Sequence, residues 1–161
     1  MNRAIFFDRD GIINKERLDY VKDISELELF SEFPSIVKPL KDHGFLIIVI
    51  TNQSAINRGL MTESSLYEIH EKIQNHMKTN GTSIDGFYHC PHRPDENCDC
   101  RKPKSGLLIK AANDFCIELK SSWMIGDNDS DITSGLNVGC KTRKITNLES
   151  LPNLVDEILN N

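Results

Sequence analysis

Short apolar runs, each closed by polar residues, recur along the chain and predict buried strands. The first covers residues 4–7, and a longer uninterrupted run covers residues 45–50. Apolar runs without polar alternation are typical of strands that are buried on both faces of a parallel sheet. Three further strands are predicted at residues 86–89, 122–125 and 141–145.

Segments with helical periodicity separate these strands. Residues 34–43 carry apolar side chains at helical spacing, and Pro39 predicts a kink or a short helix there. Thr62 is placed to cap a helix whose apolar residues follow a 3.6-residue period. Further helices are predicted around residues 107–115 and 151–158, with a short one between the last two strands. Strands that alternate with helices predict an α/β fold, a doubly wound parallel sheet with right-handed crossovers.

Two long polar segments interrupt this alternation, and loops of such length are often functional. Residues 12–32 are rich in charge and have no clear period, whereas the loop at about 90–101 is rich in cysteine. With 161 residues and 39% hydrophobic content, the chain suits a single domain, which we predict spans residues 1–161.

The composition narrows the class of protein. A formal net charge of -5 without a long basic run predicts no binding to nucleic acid. Because the sequence contains no signal-peptide pattern and no apolar stretch near 18 residues, we expect a cytoplasmic protein without membrane contact. Of the five cysteines, three lie between residues 90 and 100, which favours metal binding over disulfides in a reducing compartment.

Two aspartates, Asp8 and Asp10, follow the first predicted strand and precede Gly11. In open parallel sheets, ligands bind at the carboxyl ends of strands, and residues two apart on an extended backbone point the same way. Two carboxylates about 4 Å apart repel by roughly 4 kcal/mol at an effective dielectric near 20, which a bound cation would offset. The alternative is that both aspartates only form the turn around Gly11.

Polar residues of complementary kinds end two other predicted strands. Thr51 and Asn52 follow the second strand, and a basic run that contains Lys102 precedes a helix. Asp127 and Asp131 follow the fourth strand, where a helix N-terminus also favours acids. Carboxylates from separate strands suit Mg²⁺, and a lysine and a hydroxyl suit phosphate oxygens. Such groups supply a nucleophile, a proton-transfer group and positive charge for hydrolysis of a phosphate monoester.

These motifs resemble the four motifs of the haloacid dehalogenase superfamily of aspartyl-phosphate phosphatases, in order as well as in content. They are Asp8-Arg9-Asp10-Gly11, Thr51, Lys102 and the cluster from Gly126 to Asp131. The resemblance implies that Asp8 attacks phosphorus. It also implies that Asp10 protonates the leaving oxygen and later deprotonates water, while Thr51 and Lys102 hold the phosphoryl group.

The same resemblance implies a catalytic Mg²⁺ site. Its ligands would be the carboxylate of Asp8, the backbone carbonyl of Asp10 and the carboxylate of Asp127. Asp131 would stand behind these ligands. No insertion is large enough for a separate cap domain, so the resemblance implies a capless fold with an open site, which suits a monomer.

The cysteine-rich loop offers three thiolates and one imidazole, from Cys90, His92, Cys98 and Cys100. These four groups would fill all positions of a tetrahedral structural Zn²⁺ site. The alternative is that the cysteines are simply buried and that the histidine lies near them by chance. The loop has no apolar residues to form a core, and metal binding worth about 10 kcal/mol or more would order it instead. Because the protein would occupy all four positions, we expect this Zn²⁺ to scaffold rather than to catalyse.

Zinc together with the four motifs resembles the subfamily that contains heptose bisphosphate and histidinol-phosphate phosphatases. The Thr51 to Ser54 segment with Arg58-Gly59 looks more like the heptose enzymes, whereas the short spacer between His92 and Cys98 suits either. The resemblance implies a phosphorylated sugar as substrate. It places these residues around the substrate: Glu16, Asp19, Tyr20, Asn52, Gln53, Ser54 and Arg101. His70, in a predicted helix, is expected near the surface.

The leading hypothesis is therefore a Mg²⁺-dependent phosphatase that acts on a heptose bisphosphate in the synthesis of cell-surface polysaccharide precursors. A histidinol-phosphate phosphatase is the alternative enzyme. A phosphoacceptor signalling domain also uses Asp, Thr and Lys on a parallel sheet, but it has no need for the acid/base group that Asp10 supplies. A zinc-stabilised binding module is the third alternative.

Overall fold

Five parallel strands form one sheet in the computed structural model, which describes residues 1–161. The strands are β1 (Arg3–Phe7), β2 (Phe45–Asn52), β3 (Gly86–Cys90), β4 (Trp123–Gly126) and β5 (Lys141–Lys144). They lie in the order β3-β2-β1-β4-β5, and every neighbouring pair is parallel. The α/β fold predicted from the apolar runs is confirmed, with strand ends that shift by two residues or fewer.

Helices cover both faces of the sheet. They are α1 (Phe33–Asp42), α2 (Glu63–Thr79), α3 (Gly106–Phe115), α4 (Asp129–Leu136) and α5 (Leu151–Leu159). The larger apolar cluster packs α1, α2 and α5 against one face, and the smaller one packs α3 against the other. Side chains of β1 alternate between the two clusters, as the pleat of a doubly covered strand requires.

Helix α1 continues through Pro39 for its full 10 residues. Proline removes one backbone hydrogen bond from a helix interior. Here Ile36, Val37 and Leu40 are buried against the sheet, and this packing holds the helix in place despite the lost bond. The helix is therefore not shortened at the proline.

The order of the strands creates a crevice beside β1. The chain runs outward from β1 to β2 and β3, and it then returns to place β4 on the other side of β1. Ligand sites in doubly wound sheets lie at this reversal, outside the carboxyl ends of the strands. Asp8 follows β1 and Asp127 follows β4, so the topology brings both to one edge.

The connections between the strands carry no separate cap domain. Residues 8–32 and 91–105 are the long segments that border the crevice. None of the helices combines the length and the apolarity that a membrane crossing requires.

Candidate active site

Asp8 lies almost buried at the carboxyl end of β1 and is paired with Lys102. Lys102 Nζ donates to Asp8 Oδ1 at 2.8 Å and to the carbonyl of Ile50 at 2.7 Å. The same ammonium lies 2.7 Å from Oδ1 of Asp131. The ammonium therefore donates two hydrogen bonds and has a second carboxylate at ion-pair distance.

The pKa values of Asp8 and Lys102 depend on their burial and on the charges beside them. Burial raises the pKa of Asp8 to about 7, although Lys102 opposes the rise. Burial also disfavours the charged form of Lys102, but Asp8 and Asp131 outweigh it and raise the pKa of the lysine. The lysine therefore keeps its positive charge beside the candidate nucleophile.

Three donor groups hold Asp10. Its Oδ1 accepts hydrogen bonds from Arg9 at 2.9 Å and from Asn14 at 3.0 Å. Gln53 Nε2 donates to Asp10 Oδ2 at 3.0 Å and to Thr51 Oγ1 at 2.8 Å. Burial opposes ionisation, but the Arg9 charge and these hydrogen bonds outweigh it and lower the pKa of Asp10. The structure thus fixes this carboxylate in one orientation and keeps it ionised.

Asp8, Asp127 and Asp131 form a carboxylate cluster whose ligand atoms all lie within 4.8 Å of one another. Burial, and then the Asp131 charge, raise the pKa of Asp127, because a neighbouring carboxylate disfavours the charged form. Hard oxygen donors of this kind fit Mg²⁺. No hydrogen bond within the protein reaches the backbone carbonyl of Asp10, which leaves this oxygen free for a ligand.

Asp131 has two partners of its own. Its Oδ2 accepts the backbone N–H of Asn128 at 3.1 Å and caps helix α4, while Oδ1 pairs with Lys102. These contacts suit a residue that holds neighbouring groups of the site in place and does not bind the metal ion itself.

Gly11 makes the close approach of Asp127 possible. Its φ of +88° lies in the left-handed region, and a Cβ at this position would collide with the Asp127 carboxylate. Gly44 has a nearly identical φ of +85°, but nothing lies within 4 Å of its added Cβ. The two glycines share the same backbone requirement and differ in the space around them.

We expect Gly11→Ala to weaken Mg²⁺ binding and to lower stability more than Gly44→Ala does. Both substitutions place alanine at positive φ, which costs about 1–2 kcal/mol, but only the first displaces Asp127. The measurements are thermal unfolding and the dissociation constant for Mg²⁺. Equal effects of the two substitutions on this constant would contradict this prediction.

A cavity of about 330 Å³ opens above Asp8, Asp10 and Lys102. Of the residues predicted to contact substrate, those that line it are Glu16, Tyr20, Asn52, Gln53 and Arg101. The others in its lining are Asp8, Asp10, Arg17, Leu18, Val21, Lys102, Asn128, Ser130 and Asp131. Burial, and then the charges of Asp127 and Asp10, raise the pKa of Glu16.

Two predicted substrate residues lie outside this cavity. Asp19 is exposed and pairs with Arg17 at 3.0 Å and with Lys22 at 3.3 Å. Ser54 is buried, and its hydroxyl accepts a hydrogen bond from Arg58 Nε at 3.3 Å. Both residues contribute to the conformation of loops beside the cavity.

Asn52 has a positioning contact besides its place in the lining. Its Oδ1 accepts the backbone N–H of Lys102 at 3.0 Å, and its Nδ2 donates to the Lys102 carbonyl at 3.1 Å. This pair of hydrogen bonds fixes the backbone that carries the lysine.

Asn128 and Ser130 line the cavity but were not predicted from the sequence. Their position directly after Asp127, at the end of a strand, was a signal that could have identified them.

The four cysteine and histidine ligands predicted for zinc lie together at the end of β3. Their ligand atoms are all within 4.8 Å of one another. The Sγ atom of Cys90 lies 3.8 Å from that of Cys98 and 2.9 Å from that of Cys100, and His92 Nδ1 lies 3.2 Å from the Cys100 Sγ. Three thiols and one imidazole gathered in this way are the donor set of a structural tetrahedral zinc site, so the residues present fit that ion.

The cysteine-rich loop is joined directly to the cavity. Arg101 follows Cys100 and lines the cavity, while its guanidinium donates to the carbonyl of His92 at 3.3 Å. Lys102 is the next residue. Two cations of the site therefore directly follow the cysteine cluster along the backbone.

Comparisons with known proteins agree with this geometry. The HAD-hydrolase-like family model matches residues 99–146. The chain is 43% identical over 141 residues to the D-glycero-beta-D-manno-heptose-1,7-bisphosphate 7-phosphatase of Helicobacter pylori (strain J99), which covers 87% of this chain and 80% of that protein. It is 37% identical over 147 residues to the D-glycero-alpha-D-manno-heptose-1,7-bisphosphate 7-phosphatase of Campylobacter jejuni, with coverage of 91% and 84%.

A solved structure is similar over nearly the whole fold. It is the D,D-heptose 1,7-bisphosphate phosphatase from B. bronchiseptica, complexed with magnesium and phosphate. The TM-score is 0.88 at 25% identity, and the match covers 98% of each chain.

Proposed function

Since this chain belongs to the heptose-bisphosphate phosphatases of the haloacid dehalogenase superfamily, we propose that it removes the 7-phosphate of D-glycero-D-manno-heptose 1,7-bisphosphate. The chain is a phosphoric monoester hydrolase, as its relatives are. One observation carries the proposal for the site. Asp8, almost buried at the base of the cavity, is held by Lys102 and lies beside the acids that fit Mg²⁺.

Asp8 is the proposed nucleophile. One of its carboxylate oxygens attacks phosphorus, and the bond from phosphorus to the sugar oxygen breaks, which leaves an aspartyl phosphate. Lys102 places its positive charge against the equatorial phosphate oxygens, where negative charge collects in the transition state. Thr51, whose hydroxyl accepts a hydrogen bond from Gln53, can turn its own proton toward the phosphoryl group.

Asp10 is the proposed proton-transfer group. It gives a proton to the sugar oxygen as that bond breaks, and it takes a proton from the water that then attacks phosphorus and releases Asp8. The ionised form found in the free protein suits the second step. For the first step, the negative charge of the bound phosphate raises the pKa of the Asp10 carboxyl.

Asp8, the Asp10 carbonyl and Asp127 are the proposed Mg²⁺ ligands, because they present hard oxygens at one edge of the sheet. When bound, the ion neutralises phosphate charge and orients the group that is transferred. The four cysteine and histidine ligands are proposed to hold Zn²⁺, with a structural role.

We expect Cys98→Ser to abolish stoichiometric zinc binding and to lower the melting temperature. The loss is a large part of the ~10–16 kcal/mol that structural zinc sites contribute, because three ligands hold the ion less tightly than four. Elemental analysis and thermal unfolding measure both effects. Cys116→Ser is the matched control, since Cys116 is exposed and outside the cluster. Full zinc content in the Cys98 variant would contradict the assignment.

The substrate proposal is tested by the release of inorganic phosphate from a panel of phosphate monoesters. The panel contains the alpha and beta anomers of heptose 1,7-bisphosphate and histidinol phosphate, each with and without Mg²⁺. The expected result is Mg²⁺-dependent formation of heptose 1-phosphate at the highest kcat/KM in the panel. A higher kcat/KM for histidinol phosphate would replace the proposed substrate with that alternative.

A further inference from the structure

Arg9 separates the two aspartates of the first motif but does not line the cavity. Its side chain is 0% exposed, so the protein encloses a full positive charge. One terminal nitrogen donates to Asp10 Oδ1 at 2.9 Å. The other lies 3.3 Å from Nε2 of His70, while Nε has no partner. Asp10 and His70 are therefore the two groups that hold this guanidinium.

His70 belongs to the buried face of α2, contrary to the expectation that it lies near the surface. It is 6% exposed and stacks on Phe87 of β3, with ring centroids 4.5 Å apart and an interplanar angle of 18°. The burial follows from helical spacing, because position 70 continues a stripe that faces the sheet. That stripe is Leu66, Ile69, His70, Ile73 and Met77.

The contact with Arg9 determines the protonation of the His70 ring. A guanidinium has only donors, so Nε2 must be an acceptor, and the ring proton must lie on Nδ1. Burial, and then the positive charge of Arg9, lower the pKa of His70 to about 3. The imidazole is therefore neutral near neutral pH.

We propose that His70 is a positioning residue for the phosphatase reaction, acting through Arg9 to orient the Asp10 carboxylate. Without the imidazole acceptor, one side of the buried guanidinium has no partner, and the group can rotate away from Asp10. His70 lies outside the cavity lining, so substrate binding does not depend on it directly. The inference rests on the proposed role of Asp10 in proton transfer.

Two substitutions separate the acceptor of His70 from its packing. His70→Phe keeps an aromatic ring on Phe87 and removes the acceptor, whereas His70→Gln keeps an acceptor. We expect the Phe variant to lose about tenfold or more in kcat, with KM unchanged within about twofold, because misorientation slows the chemical step. The Gln variant recovers most of this loss. His76→Phe, on the same helix and away from Arg9, is the matched control and keeps full activity.

If the Phe and Gln variants lose kcat equally and their melting temperatures fall in parallel, the role of His70 is purely structural and the proposal is overturned. Unchanged kcat in the Phe variant would also overturn it. In an Arg9→Met background, His70→Phe is expected to have no further effect on kcat. If the double variant loses kcat by the product of the two single-variant losses, the two residues act independently, and His70 does not act through Arg9.

A spectroscopic measurement tests the contact without reference to activity. Nitrogen-15 spectra of the histidine rings near neutral pH are expected to show His70 as the neutral Nδ1–H form. A ring protonated on Nε2 would contradict the proposal. The kinetic comparison can be made with p-nitrophenyl phosphate as well. If the wild-type protein hydrolyses that ester but no heptose bisphosphate, the substrate proposal fails while the role of His70 is still measured.

Discussion

Asp8→Asn is expected to lower kcat by at least about 10⁴-fold, because an amide cannot form the aspartyl phosphate. The substitution keeps the shape of the side chain and leaves an oxygen that can accept from Lys102. The fold and substrate binding should therefore remain. Steady-state kinetics measure the loss, and acid quenching with labelled substrate measures the covalent intermediate.

Asp42→Asn is the matched control for this experiment. Asp42 is exposed on α1, where it pairs with Lys38 at 3.2 Å, and it is remote from the cavity. Its removal should leave kcat unchanged and alter the free energy of unfolding by less than about 0.5 kcal/mol. If acid quenching traps labelled phosphate on the wild-type protein but not on the Asp8 variant, Asp8 is supported as the nucleophile. Activity in the Asp8 variant within about tenfold of wild type would end the assignment.

Lys102→Met is expected to be the most destabilising single substitution in the site. The lysine is the cation between Asp8 and Asp131, whose side chains are 9% and 1% exposed. Removing one member of a buried ion pair costs about 3–5 kcal/mol, because the remaining charge is uncompensated. Catalysis should also fall, since the charge that faces the phosphoryl oxygens is lost. Urea unfolding and phosphate release measure the two effects.

The deficit in stability should depend on pH in a direction that follows from Asp8. Burial raises the pKa of its carboxyl above the unfolded value even with the lysine present, and removal of Lys102 raises it further. A carboxyl whose folded pKa is raised opposes folding at high pH, and this penalty fades as protons bind. The variant should therefore approach wild type as the pH falls from about 8 to about 6.

Lys38→Met is the control for the lysine experiment, because it breaks the exposed Lys38–Asp42 pair on α1. We expect a change below about 0.5 kcal/mol in the free energy of unfolding, with no dependence on pH in this range. A Lys102 variant as stable as this control at every pH would show that the buried pair does not hold the site together.

Local patterns in the sequence were sufficient to locate most of the strands and the clusters of polar residues at their ends. Apolar runs located β1, β2 and β4, because a strand buried on both faces excludes polar residues from its interior. Such a run does not account for β5, which has no apolar residue and no buried position. The position of acids at strand ends then placed Asp8, Asp10 and Asp127 at one edge. Ligand spacing located the cysteine cluster, because both pairs of ligands lie two residues apart along the loop. Each of these features is encoded within a few residues.

The partners of the individual side chains were decided by the tertiary structure. Gln53 and Asn52 were predicted to contact substrate, yet they also orient Asp10 and Lys102. Asp19 was predicted in the same role, and in the structure it lies outside the cavity lining and pairs with its neighbours Arg17 and Lys22.

The sequence by itself determined the order of the strands along the chain, the candidate metal ligands and the class of reaction, since these depend on periodicity and on short motifs. Only the tertiary structure decided which polar groups hold the reacting ones. Lys102 reaches Asp8 across 94 residues, and His70 reaches Arg9 across 61. No local period carries such pairings, because they exist only once β1, β2 and α2 have packed together.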